Sequence, residues 1–407
     1  MNRLSLKSNV IWNTFGTVFY QGCLWLITVL VVRLSNDYSN SGYLAFAMSI
    51  GNIAFALGTY NMRTYQVADT EGRYAPNNYV AFRCVTMGIS AIACGLYAVA
   101  IAPTAASLLV SLVYILFKLD ETFANVFYTI DQKGMRLDIA GKSMLIRGAI
   151  CVAAFSGSML LTHSLTISVL CMYIGCLAVT FAFDVTNTRC IEPNLIPQIE
   201  RQQVKALLVE CLPSVSALIV SAFIVSSARQ YYGIVYGENN LGIYASVATP
   251  CVIIQVLAQN IYTPFLGPIA EAFNEEHRID ARKAFGKLLC GVMAIGLVIS
   301  AMLSLASEPL LTMLYGESIS PYTWLLGPVL VVTTEAACTA LITDALVVFG
   351  KLKTTLVVNA SALFVTIAVI VPTCSCWDMN GVSISLICGF SVAIVIGTAT
   401  VIKATRV

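Results

Sequence analysis

The chain has 407 residues, of which 58% are hydrophobic and only 11% charged, against about 25% charged in an ordinary soluble domain. That is too little charge to cover a water-soluble surface, so lipid is the expected solvent. A formal net charge of +2 gives no bulk electrostatic basis for nucleic-acid binding.

Met1 to Asn9 is short and basic, with Arg3 and Lys7. The apolar run behind it is too long for a signal-peptide core and lacks a small-residue cleavage site, so a retained first helix is expected. Apolar runs of about 20 residues bounded by charge or turn residues mark membrane spans. About twelve follow in chain order, near 10–32, 42–62, 82–101, 104–130, 147–162, 165–183, 208–231, 242–263, 286–306, 322–348, 355–373 and 381–402.

With the N-terminus placed in the cytoplasm, all but Arg33, Lys118 and Arg229 of the 23 Lys and Arg fall on the inner side. This asymmetry supports an even number of spans with both termini cytoplasmic. Gly42-Tyr43-Leu44-Ala45 repeats as Gly242-Ile243-Tyr244-Ala245, each after a polar cluster, and Arg83 aligns with Lys283. Two six-helix lobes of parallel orientation are expected, 1–195 and 208–407, joined by a cytoplasmic linker at 196–207. The 14 Cys lie mostly inside apolar runs and act there as small hydrophobes. With two His and no CxxC spacing, neither a metal site nor a cofactor is expected.

Charges inside spans are the informative residues, since each costs about 2.5–3.5 kcal/mol at a helix centre on insertion scales. Lys118 and Glu121 share a face of the fourth span, and Asp120 points nearly opposite. Two readings stand side by side: a polar cavity wall with Lys118 on an anionic substrate, and a self-neutralised Lys118–Glu121 pair. Glu335 lies mid-span in the tenth helix. Asp344, nine residues on, occupies the opposite face, so the two cannot serve one site. Either can bind a coupling ion or be held by neighbouring Thr residues. Arg229 is placed to meet phosphate or sugar from a cavity, or to snorkel to the outer headgroups. Arg63, Arg83 and Arg147, at inner span ends, are candidates for drawing in an anionic headgroup. Trp12, Tyr60, Tyr322, Trp324 and Trp377 read as interfacial anchors. No catalytic constellation is visible.

The opening Lys7-Ser8-Asn9-Val10-Ile11-Trp12-Asn13 resembles the N-terminal pattern of Wzx-type O-antigen and polysaccharide flippases, as does the later Arg33-Leu34 with Gly42-Tyr43-Leu44-Ala45. Leu212-Pro213-Ser214, Ser307-Glu308-Pro309-Leu310, Leu314-Tyr315-Gly316-Glu317 and Phe349-Gly350-Lys351 extend the resemblance over nearly the whole chain. It implies an all-α membrane protein of the multidrug/oligosaccharidyl-lipid/polysaccharide exporter superfamily, with two lobes forming a V around a central cavity. It also implies flipping of an undecaprenyl-diphosphate-linked repeat unit across a bacterial inner membrane, without enzymatic chemistry. The expected partners are that lipid-linked oligosaccharide and membrane lipid, with the polymerase and chain-length regulator of the same pathway as further candidates. Family members carry a cationic cavity. Here only Lys118 and Arg229 supply cations beside several acids, which favours a neutral repeat unit. Site expectations are therefore Lys118, Arg229, Glu121 and Glu335 for substrate, with Asp120, Glu121, Glu335 and Asp344 for a coupling ion. The competing readings are a cation-coupled multidrug extruder of the same fold, and a polytopic polymerase or glycosyltransferase. The last would be expected to have a longer outer loop than the roughly 16 residues available.

Overall fold

The computed structural model describes residues 6–69, 72–274 and 277–405; Arg3 and Arg406, both on the inner side of the charge count, lie outside the described residues. Every regular element described is helical. In chain order these are α1 Leu6–Arg33, α2 Ser39–Thr59, α3 Met62–Ala68, α4 Pro76–Ile101, α5 Ala105–Lys133, α6 Leu137–Thr162, α7 Leu165–Val179 and α8 Val185–Arg189. After these come α9 Arg201–Tyr236, α10 Glu238–Cys251, α11 Ile253–Asn274, α12 Arg278–Leu305, α13 Ser307–Tyr315, α14 Leu326–Val348, α15 Leu352–Trp377 and α16 Met379–Ala404. One wide, π-type turn, Thr180–Asp184, links α7 to α8, and a 3-10 turn, Glu317–Leu325, leads into α14.

Among the described residues, eleven helical stretches are long and apolar enough to cross a membrane. The 29-residue α5 matches them in length but carries Lys118, Asp120 and Glu121. Together they make the twelve spans that hydropathy suggests. Several ends differ from expectation: α4 starts at Pro76, α6 at Leu137 and α9 at Arg201. Lys142 and Arg147 had marked the start of the fifth span at 147, yet both lie on α6. Lys142 reaches back to Asp138 and Arg147 is paired inside the bundle, so neither charge needs a loop.

The chain divides into two compact units, Met1–Ile219 and Val220–Val407, with the boundary inside α9. In the first unit α5 is central, packed by α2, α4, α6 and α7, while α1 runs along α6. The α1–α6 contact is made backbone to backbone. A Cβ on Gly141 would stand 2.3 Å from the Trp12 carbonyl oxygen, and one on Gly16 would stand 2.2 Å from that of Gly141. Small residues allow such approach where apolar burial cannot drive helices together in lipid.

Pro213 has no N–H to donate, so the helical ladder of α9 lacks the bond to the Val209 carbonyl one turn back. The Tyr60 hydroxyl donates to Leu208 O at 3.2 Å and that of Tyr65 to Glu210 O at 2.8 Å. Tyr60 is therefore no interfacial anchor: it is buried in the cluster that binds Phe82, Phe127, Leu207 and Cys211 together.

In the second unit α14 is central, packed by α10, α11, α12 and α16, and α15 lies along α16. The helix α12 is peripheral, with 11% of its apolar window buried, against 67% for the stretch containing α14. Gly42 is the fourth residue of α2 and Gly242 the fifth of α10.

Candidate functional site

In the first unit, Lys118 Nζ lies 2.5 Å from Glu121 Oε2, both side chains nearly enclosed. The Tyr20 hydroxyl of α1 donates to the other carboxylate oxygen of Glu121. The ammonium is surrounded by rings, at 5.5 Å from the centroid of Phe117, 5.7 Å from Tyr114 and 5.9 Å from Phe55. Lys118 thus has a carboxylate and three π faces as counter-groups.

Asp120 points the other way and meets Arg147 of α6. Arg147 Nη1 is 2.7 Å from Asp120 Oδ2, and Nη2 is 3.0 Å from Asp184 Oδ2. Arg147 Nη2 also donates to Thr180, whose hydroxyl donates to Asp120 Oδ1 at 2.5 Å. Thr180 and Asp184 bracket the wide turn after α7, and such turns widen a helix locally and are common at functional positions. One guanidinium faces two carboxyl groups here, one more than its single charge can pair. Arg147 is enclosed there and not displayed at a rim.

Arg83 is fully buried and donates from Nη1 to Gly58 O at 2.9 Å. It caps the C-terminal end of α2, where the helix dipole favours a cation. Its Nε and Nη2 have no partner among the described residues. Arg63 binds the Gln132 side chain at 2.8 Å and remains partly open. Asp131, buried near the end of α5, accepts from Thr188 at 2.9 Å and has a second oxygen with no described partner.

The second unit carries charges of a different kind. Arg229, on α9, makes no ion pair among the described residues, and its Nε is buried without an acceptor. Asp344 accepts from the Tyr262 hydroxyl of α11 at 2.8 Å, and Glu335 from Ser391 of α16 at 2.9 Å. Neither is held by the Thr residues of its own helix. The free oxygen of Glu335 faces no described donor.

The sequence picks out Lys118, Asp120, Glu121, Arg147, Arg229, Glu335 and Asp344, and the structure brings the first two pairs of opposite charge together as Lys118–Glu121 and Asp120–Arg147. It adds Tyr20, Asp184 and Asp131. Asp184 had a sequence signal, since it ends an apolar run on the C-terminal side of α7. Tyr20 had none. Among the described residues, no three His, Cys, Asp or Glu gather as a metal site would require.

This arrangement of helices is a known one. The chain matches a multidrug resistance MATE family transporter of the MOP superfamily with a TM-score of 0.75 at 12% identity, over 98% of both chains. It matches the lipid II flippase MurJ with a TM-score of 0.76 at 12% identity, over 97% of this chain and 89% of that one. The fold is therefore the all-helical, MATE-like membrane fold. In sequence, the chain is 25% identical over 304 residues to the capsular polysaccharide biosynthesis protein CapF of Staphylococcus aureus, an alignment covering 72% of this chain and 74% of CapF. No family model matches it.

Proposed function

We propose that the chain moves an undecaprenyl-diphosphate-linked oligosaccharide, an O-antigen or related polysaccharide repeat unit, from the cytoplasmic to the periplasmic leaflet by alternating access. The carrying observation is Arg229, an obligate cation within a membrane helix that has no acidic partner among the described residues. A diphosphate supplies the missing countercharge through bidentate hydrogen bonds. The MATE-like fold and the likeness to a capsular polysaccharide protein support the same reading. The task needs a polar route for the headgroup while the polyprenyl tail stays in lipid, and it needs no covalent step.

In this proposal Lys118 is not the first anion contact, because Glu121 already neutralises it. Arg63 meets the headgroup first, being the partly open one of the three inner arginines. The second carboxyl of the Arg147 cluster serves the coupling ion, and Glu121 holds Lys118 in place. Both termini are cytoplasmic.

A deletion strain tests the reading. Complete lipid-linked units should accumulate on the cytoplasmic leaflet while surface polysaccharide disappears. Wild type should rescue, and well-expressed Arg229→Ala should not. Single repeats appearing on the outer leaflet of the deletion strain would instead place the defect at polymerisation and refute the proposal.

A further inference from the structure

The second unit contains a cavity of about 270 Å³ between α12, α14 and α16. Thr334, one of the lining residues, packs against α12 at Gly296, where a Cβ would stand 2.4 Å from its side chain. Most of the lining is apolar, including Leu289, Met293, Ile394 and Val395. Met293 is 50% and Val395 69% exposed, on the least buried helix of the unit and on α16. The cavity therefore has an open mouth on the surface of α12 and α16 and lies within one unit.

One polar feature stands out inside it. Glu335 reaches the cavity from the middle of α14, with Oε1 held by Ser391 and Oε2 buried with no described donor. No Lys or Arg lines the cavity. A carboxylate at this depth takes up a proton or a cation, and the apolar walls select what can accompany that cation.

We propose that this pocket is a lateral binding site for a lipophilic ammonium that enters from the bilayer. Its N–H groups donate to the Glu335 carboxylate, and its hydrocarbon part packs between Met293 and Val395. The site is separate from the contact with the sugar-lipid diphosphate and takes a ligand of opposite charge. It does not rest on the translocation reading. The volume is at the small end for ligand pockets, which suits an alkylammonium chain and leaves any larger ring system outside the mouth.

The test uses the full chain in lipid nanodiscs with two fluorescent probes, N-dansyl-1,8-octanediamine, which has a free ammonium, and its N-acetylated form, which has none. The ammonium probe should bind at least about tenfold more tightly to wild type, a discrimination of about 1.4 kcal/mol. Glu335→Gln should erase that preference, so that both probes bind equally weakly. Val395→Trp, on an exposed position, should fill the mouth and weaken the ammonium probe about tenfold while leaving the melting midpoint unchanged. Equal binding of the two probes by wild type would mean that Glu335 takes only a proton, and would overturn the proposal. So would a preference retained by Glu335→Gln or binding indifferent to Val395→Trp.

Discussion

Replacing Arg147 by Met should be among the most damaging single changes in the first unit. Arg147 is 2% exposed at its side chain, and Asp120 and Asp184 are 0% and 1%. The substitution keeps an apolar stem but leaves two buried carboxylates facing each other, with Thr180 as the remaining donor to Asp120. Breaking a buried pair by removing one partner costs about 3–5 kcal/mol, equal to roughly 150- to 5000-fold in the folded fraction. The reverse change is expected to be mild. Asp184→Asn keeps the Arg147–Asp120 pair intact and leaves an amide oxygen to accept from Arg147, so a cost under about 1 kcal/mol follows. Titration of purified protein from mild micelles into SDS, followed by tryptophan fluorescence and circular dichroism, measures both. If Arg147→Met unfolds within about 1 kcal/mol of wild type, or Asp184→Asn is the worse of the two, the cluster does not hold the bundle by charge compensation.

Three further outcomes follow. Gly141→Leu should destabilise by about 2 kcal/mol or more, because its Cβ would lie against the Trp12 carbonyl; near-wild-type expression and melting would show that α1 and α6 can separate freely. In a double-mutant cycle, Lys118→Met and Glu121→Gln should couple by about 0.5–3 kcal/mol, the double variant losing less than the sum, and additive losses would mean that the pair is not formed. Burial works to raise the carboxyl pKa of Asp69, in the loop after α3. Amide donors from Arg73 at 2.8 Å and Tyr74 at 3.1 Å, the Tyr79 hydroxyl and nearby Lys133 outweigh that and hold it below the usual range. A depressed carboxyl contributes stability above its unfolded value of about 3.9 and loses it as pH falls through the folded value. Asp69→Asn should therefore melt lower than wild type near pH 6, and the gap should close near pH 2; a gap that persists in acid would assign the loop to other contacts.

The fold was legible because apolar runs of this length report on membrane spans directly. Charge, however, misplaces ends when it is buried. Arg147 looked like a boundary because its partners, Asp120 and Asp184, are 27 and 37 residues away, on α5 and after α7. Helical periodicity did separate Lys118 and Glu121 from Asp120, since opposite faces are a local property. Which neighbour each face meets depends on helix rotation, which a single sequence does not encode. Tyr20 on Glu121, Ser391 on Glu335 and Tyr262 on Asp344 all come from distant helices for that reason. Arg229, like Arg83, meets no acid among the described residues, and that too is a property of packing alone.

The measurement closest to the central claim is translocation itself. Purified protein reconstituted into vesicles would be supplied with a polyprenyl-diphosphate-linked oligosaccharide, and leaflet exposure followed by a membrane-impermeant lectin or glycosidase. Wild type should move the sugar-lipid far faster than empty vesicles, and Arg229→Ala should fall toward the empty rate with a normal melting midpoint. Wild-type vesicles no faster than empty ones under an imposed proton or sodium gradient, or a folded Arg229→Ala as fast as wild type, would contradict the account.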